Sequence, residues 1–437
     1  MRIAHLSPGT GDFYCGTCLR DRTLVRALRG RGHEVEIVPL YLPAYGEDGT
    51  PSDDGPIHLG AINLYLAQKL SACRYLPRAV TGRLDSPALL RWVARRFPAT
   101  DPALLGEMTV AMLEGEEGRL APAIEALAAS LAAGPPFNVV LLSNALLAGV
   151  ARRIAERTGA AVACTLQGEN AFLDALPEPH RGLAWRTLAA RARQVALFLA
   201  VSRHHAARMA DRLGLPEARV AVVPNGIDVE DFSARAAGEA PSPPALGFLA
   251  RLCAEKGLPL LVDAFLLLRE RGRVPDLRLR AAGVLRAEDR VIVAALRRRL
   301  AAAGLAAATE FLPDVDPAAK RAFLASLSVL SVPASAEESF GLYLLEAMAA
   351  GVPVVQPRHA AFPEILAATG GGILCDPGDP RALAEAIEAL LLDPPRAREL
   401  GERGGRAVRE RFTAQRMARE VEERLTEVVA ARGRVDA

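Results

Sequence analysis

Aromatic residues make up only 5% of this 437-residue chain, which argues against single-stranded nucleic acid, whose bases need stacking platforms. Charge of one sign is also lacking. The 53 Lys and Arg are nearly matched by 51 Asp and Glu, leaving a formal +2, so no global field gathers DNA or RNA. Local runs such as Arg152-Arg153 and Arg297-Arg298-Arg299 read as solvated helix faces. The six cysteines, at 15, 18, 73, 164, 253 and 375, are too scattered for a disulfide framework. No apolar run reaches the ~18 residues of a membrane span, and MRIAHLSPG is too short and polar to open a signal peptide. A cytoplasmic protein is expected. Neither an internal repeat nor a low-complexity tract is present.

What is there is length and apolar content. With 51% hydrophobic residues over 437 positions, the chain exceeds what one core usually organises, so two domains are expected. The first forty residues run apolar strand, glycine-rich loop (PGTGDFYCG), helix (19–29), apolar strand (35–38), with glycines where a strand hands over to a helix. Further strand-like runs follow at 139–142, 161–164, 197–200 and 220–223. Between 41 and 136 the rhythm turns mainly helical, as at 89–97 and 124–132, and reads as an insertion in the first domain. The proline-rich stretch GEAPSPPAL, 238–246, predicts a linker. Alternation then resumes, with strands near 246–249, 277–281, 309–312, 329–332, 352–355 and 372–375. The class is α/β, with parallel sheets covered by helices. Two such domains predict a ligand cleft at the carboxyl ends of the strands.

Two cations stand where that cleft is expected. In GFLARLCAEKG, Arg251 follows a strand and Lys256 precedes a helix. Such a pair, with Gly257 turning the backbone, suits an anion such as a diphosphate. Either residue alone would pass for a surface charge. In SAEESFGLYLLEAMAAGVPVV, a helix is predicted over 341–350, its first amides unsatisfied and its dipole positive. Ser339 to Leu342 can thus meet a phosphate or sugar hydroxyl through the backbone. Glu338 lies just outside that helix and Glu346 inside it. Carboxylates accept hydrogen bonds from diols, and a sugar nucleotide carries a diol at each end and a diphosphate between. The plainer alternative makes Glu338 a helix N-terminal charge and Glu346 a solvated helix residue.

At these motifs the chain resembles the GT-B retaining glycosyltransferases of family 4, over most of its length and more clearly in its second half. ARLCAEKG is similar to the family's Arg-x4-Lys-Gly segment, ESFGLYLLEAMAAGVPVV to its Glu-x7-Glu motif, VVPNGIDVEDF to its Pro-Asn-Gly-Ile-Asp segment, and GRGHEVEIV to the end of its first βα unit. The resemblance implies two Rossmann-like, doubly wound domains facing a central cleft: 1–237 on the acceptor side, with the helical insertion at about 41–136; a linker, 238–246; 247–408 for the donor; and 409–437, a helix returning to the first domain. It implies that Arg251 and Lys256 hold the donor diphosphate, that Glu338 contacts the transferred sugar, and that Ser339, Phe340, Gly341 and Leu342 bind hydroxyls and phosphate. Glu346 would take the ribose. The donor phosphate itself would accept the acceptor's proton, so no general base is assigned, and neither metal nor cofactor is expected.

Two departures stand out. Where members often carry Thr-x-His-Gly, this chain reads Thr165-Leu166-Gln167-Gly168; Gln167 hydrogen-bonds but does not titrate near neutrality. The usual adjacent glycines of the first loop are replaced by GTGDFYCGTC, of which Gly16, nearest the helix, is the choice to approach the donor. The implied partners are a nucleotide-diphosphate sugar and a hydroxyl acceptor, whether glycan, lipid-linked or small molecule. First-domain arginines offer a peripheral membrane contact.

Other readings compete. The first loop lacks Gly-x-Gly-x-x-Gly, against a dinucleotide enzyme. Cys15-x-x-Cys18 has no second pair to complete a zinc site and reads as two thiols. His204-His205 reads as a surface pair. A sugar-nucleotide epimerase of the same fold is the runner-up, and a non-catalytic sugar-nucleotide-binding protein the alternative of a different class.

Overall fold

The apolar runs become twelve strands, β1 to β12, arranged in two six-stranded sheets. The structure is a computed structural model that describes residues 1–8, 16–41, 102–232 and 241–433. The chain forms two units: Met1–Val201, His205–Val223 and Ala418–Ala437 make the first, Ser202–His204 and Pro224–Met417 the second.

In the first unit, β1 (Arg2–Ser7), β2 (Glu34–Pro39), β3 (Val139–Leu142), β4 (Ala161–Leu166), β5 (Leu197–Ala200) and β6 (Val220–Val222) pair in parallel in the order β2-β1-β3-β4-β5-β6. Every residue of β3 and β4 is buried, as in strands covered on both faces, which is why their sequences are apolar without alternation. The first helix, Gly16–Gly30, begins earlier than the predicted 19–29. Of the expected insertion, 102–136 carries helices Pro102–Glu114 and Ala121–Ala132, and the remainder, 89–97 included, lies outside the described residues. Leu113, Ile124 and Leu127 from these helices are fully buried in the first unit's core. The last helix, Ala414–Gly433, is tied to that unit by Glu422, which pairs with Arg31 (2.5 Å) and His33 (3.1 Å), and by Arg432, which donates to the Ala160 carbonyl (2.7 Å).

The second unit repeats the plan with β7 (Ala245–Leu249), β8 (Arg278–Gly283), β9 (Thr309–Pro313), β10 (Val329–Leu330), β11 (Val354–Pro357) and β12 (Gly372–Cys375), parallel in the order β12-β11-β10-β7-β8-β9. β10 is shorter than its apolar run and β11 is shifted along its own. β10 stops at Leu330; β11 starts at Val354 because Val352-Pro353 belong to the turn that ends the preceding helix, where the Val352 amide donates to Ala347 O (2.9 Å). Residues 241–244 carry no regular structure. Among the described residues no helix is long and apolar enough to cross a membrane.

Candidate functional site

Arg251 stands two residues beyond β7, in a loop fixed by its backbone. The Leu252 amide donates to Val284 O (2.9 Å) and the Ser335 amide to Glu255 O (3.1 Å), which joins this loop to the segments following β8 and β10. The loop ends at Gly257, where φ is +79° and a Cβ would stand 1.9 Å from the Pro333 carbonyl oxygen. Only glycine fits there. Lys256, one residue earlier, is thereby aimed at Glu338.

Neither cation stands alone, as a bare anion site would require. Lys256 Nζ lies 2.6 Å from Glu338 Oε2, and the Tyr343 hydroxyl donates to that same oxygen at 2.9 Å. Arg251 pairs with Glu255 (3.0 Å) and Asp289 (3.2 Å). Burial pushes the Asp289 carboxyl up, against the pull of Arg251. The Tyr343 phenol is held well above its ordinary range, by burial first and then by the Glu338 charge, so it stays a donor. A ligand diphosphate would therefore compete with carboxylates for both cations.

No metal is expected from the resemblance, yet Cys253, Glu255 and Asp289 place a thiol and two carboxylates within 4.8 Å of one another. Their spacing in the chain hides them, since Asp289 comes from beyond β8. The fit to a metal is poor, because the Arg251 guanidinium already pairs with both carboxylates.

The helix expected over 341–350 spans Leu342–Ala349, with Gly341 as its N-cap at φ +86°. Among the described residues no group accepts from the amides of Phe340 and Gly341, as at a helix start without a side-chain cap. The flanking backbone is anchored: Ala361 donates to Glu338 O (3.3 Å) and the Ser202 hydroxyl to Ser339 O (2.7 Å). Phe340 is buried against Phe412, ring centroids 6.2 Å apart.

Glu346 is not a solvated helix residue. It is 6% exposed and pairs at 2.7 Å with Lys320, itself 7% exposed. Lys320 was missed, though its signal was legible: Asp316-Pro317 opens a helix, Pro317–Ala325, capped by the Asp316 carboxylate, which accepts from the Ala319 amide (2.7 Å). That register sets Lys320 on the same face as Phe323 and Leu324, three and four residues on.

In the first unit, Gln167 follows β4 and Gly16 opens the first helix; the loop 9–15, Cys15 included, lies outside the described residues, and Cys18 is buried. The amides of Gln167 and Gly168 donate to Glu169 Oε2 (2.9 and 3.0 Å) and that of Ala145 to Oε1 (2.9 Å). His205, expected at the surface, is 2% exposed and 3.7 Å from Glu169. Burial pushes the Glu169 carboxyl up, but His205 and the donating amides outweigh it and hold the group below the ordinary carboxylate range.

The sequence matches the profile "Glycosyltransferase Family 4" over residues 22–231 and "Glycosyl transferases group 1" over 229–407. Among curated relatives, the D-inositol 3-phosphate glycosyltransferase of Corynebacterium urealyticum is 33% identical over 195 residues, 40% of this chain and 44% of that protein. The phosphatidyl-myo-inositol mannosyltransferase of Mycobacterium leprae is 36% identical over 180 residues, 39% and 43% respectively. The chain thus spans about half the length of the curated relatives it matches. In fold it is similar to a sucrose-phosphate synthase of Thermosynechococcus elongatus (TM-score 0.69, 18% identity, 98% of this chain and 99% of that one) and to Anabaena HepE in complex with UDP and glucose (TM-score 0.67, 16% identity, 98% and 100%). Two profile matches that run on from one another, on a pair of parallel α/β sheets shared with these structures, make this chain a member of the family 4, group 1 glycosyltransferases of GT-B fold.

Proposed function

We propose that the protein transfers a sugar from a nucleoside-diphosphate sugar to a hydroxyl acceptor, with retention and without a metal. The observation that carries this reading is the Glu338 carboxylate, held by Lys256 and Tyr343 beside the unengaged amides that open the 342–349 helix. In this reading the second unit takes the donor and the first the acceptor. Arg251 exchanges its carboxylate partners for the diphosphate, while Lys256, whose ammonium has three donors, meets it and keeps its bond to Glu338; both stabilise the diphosphate as it leaves, aided by the helix N-terminus. Phe340, Gly341 and Leu342 contribute backbone donors, Ser339 shapes the same turn, and Glu346 takes the ribose.

Glu338 is a sugar-positioning group rather than a nucleophile, as the family resemblance implies. Retention follows the family resemblance. Metal independence is supported by the cationic side chains, which supply the charge a metal would otherwise bring. HepE, crystallised with UDP and with UDP-glucose, makes a uridine nucleotide the first donor to try. The thiols of Cys164, Cys253 and Cys375 suit the reducing cytoplasm.

The test is a panel of UDP-, GDP- and ADP-sugars read by thermal shift, a bound donor raising Tm according to its affinity, followed by transfer assays with polyol and lipid-linked acceptors. A stabilising donor that is turned over supports the reading. Interconversion of free sugar nucleotides without acceptor would make the protein an epimerase, and binding without any turnover would make it a binding protein.

A further inference from the structure

The Tyr343 hydroxyl and the Lys256 ammonium converge on one oxygen of Glu338, Oε2, at 2.9 and 2.6 Å. No described residue bonds to the other oxygen, Oε1. A carboxylate oxygen has about two lone-pair sites, so Oε2 is filled by protein and Oε1 alone is left to a ligand. We propose that Tyr343 is a specificity-determining positioning residue: by saturating Oε2 with Lys256 it makes Glu338 a single-point acceptor for one hydroxyl of the transferred sugar, rather than a two-oxygen clamp on a vicinal diol.

This inference rests on the nucleotide-sugar reading and adds to it. Lys256 alone would leave the carboxylate free to swivel about a mobile ammonium, which has no preferred plane. The phenol removes that freedom because its ring is fixed at the first turn of the 342–349 helix. Gly341 makes room for it: a Cβ there would stand 3.3 Å from Tyr343 Cζ and 3.4 Å from its hydroxyl oxygen. The glycine of the Phe-Gly pair thus serves two ends, a left-handed cap and a seat for the ring. Held protonated by burial and by Glu338, the phenol donates at neutral pH and accepts nothing from the carboxylate.

The experiment compares full-length wild type, Tyr343→Phe, Glu338→Gln and the double variant. Calorimetry measures affinity for UDP, GDP and ADP, and initial rates measure nucleoside-diphosphate release from UDP-glucose, UDP-N-acetylglucosamine, GDP-mannose and ADP-glucose. Tyr343→Phe keeps the ring and should leave free-nucleotide affinity within about twofold while lowering kcat about tenfold on the preferred donor, the loss expected for one hydrogen bond to a charged group. It should also narrow the preference between donors, since the second oxygen becomes available. In the Glu338→Gln background the substitution should add little, because both changes act on one contact. The cycle also cancels any general loss of stability. Unchanged kcat and donor preference in Tyr343→Phe, or effects that multiply in the double variant, overturn the role of Tyr343 and leave the transferase reading standing. A wild type that binds no nucleotide and releases none overturns that reading, and this inference falls with it.

Discussion

Glu338 and Glu346 lie eight residues apart and answer to different cations. Glu338 is partly exposed between Lys256 and Tyr343, and Glu346 is buried against Lys320. A substitution at each should therefore fail differently. Removing one partner of a buried ion pair strands the other charge, at a cost of about 3–5 kcal/mol. Glu346→Gln and Lys320→Met are each expected to lose roughly that much stability in denaturant titrations and to weaken nucleotide binding together, since Lys320 fixes the carboxylate proposed to meet the ribose. The pair Lys320→Met with Glu346→Leu should recover most of the stability and none of the binding. Two solvated residues would instead cost within about 0.5 kcal/mol each, so small effects on both measurements would remove the buried pair from the account.

At the scale of elements, the site depends on how loops leave the strands. The 250–257 loop closes on Gly257, whose left-handed backbone sits under the Pro333 carbonyl. Gly257→Ala combines a strained φ, about 1–3 kcal/mol, with a backbone clash that nothing flexible relieves. A clear fall in Tm is expected, with donor turnover lost beyond what stability explains, because Lys256 shifts with the loop; a variant as stable and active as wild type would show that the loop does not set Lys256. In the first unit the turn after β4 is organised by Glu169, whose carboxyl lies below its ordinary value of 4.5. A group depressed on folding contributes stability above its unfolded value and loses it as pH falls through the folded one. Wild type should thus lose Tm below about pH 4.5 more steeply than Glu169→Gln, which starts lower at neutral pH. Parallel Tm-against-pH curves would place the Glu169 charge outside the stability of this turn.

For the whole molecule, the proposed transfer turns on where the charge of a leaving diphosphate would be met. Arg251 pairs with both carboxylates of the group formed by Cys253, Glu255 and Asp289, so a divalent ion there would have to compete with it. Activity with the donor found by thermal shift should survive EDTA nearly intact. Complete loss, restored by a divalent metal and abolished in Cys253→Ser, would reassign this group as a metal centre and Arg251 as its neighbour.

The sequence by itself determined the elements and the family. Twelve apolar runs of strand length, each bounded by turn residues, left little choice but two parallel sheets, since strands buried on both faces need no alternating pattern and are recognised by length alone. The order of Arg251, Lys256, Glu338 and Glu346 was equally legible, because each sits at a fixed distance from a glycine that the backbone requires. What only the tertiary structure decided was partnership. Lys256 and Glu338 are 82 residues apart, Lys320 and Glu346 are 26 apart, and Arg251 reaches Asp289 from the other side of β8. His205 reads as a surface residue until Glu169 is brought beside it. Periodicity tells which face a residue occupies, but a charge becomes a ligand, a lock or an idle surface group according to what opposes it, and that is set by which strand ends the sheet order brings together.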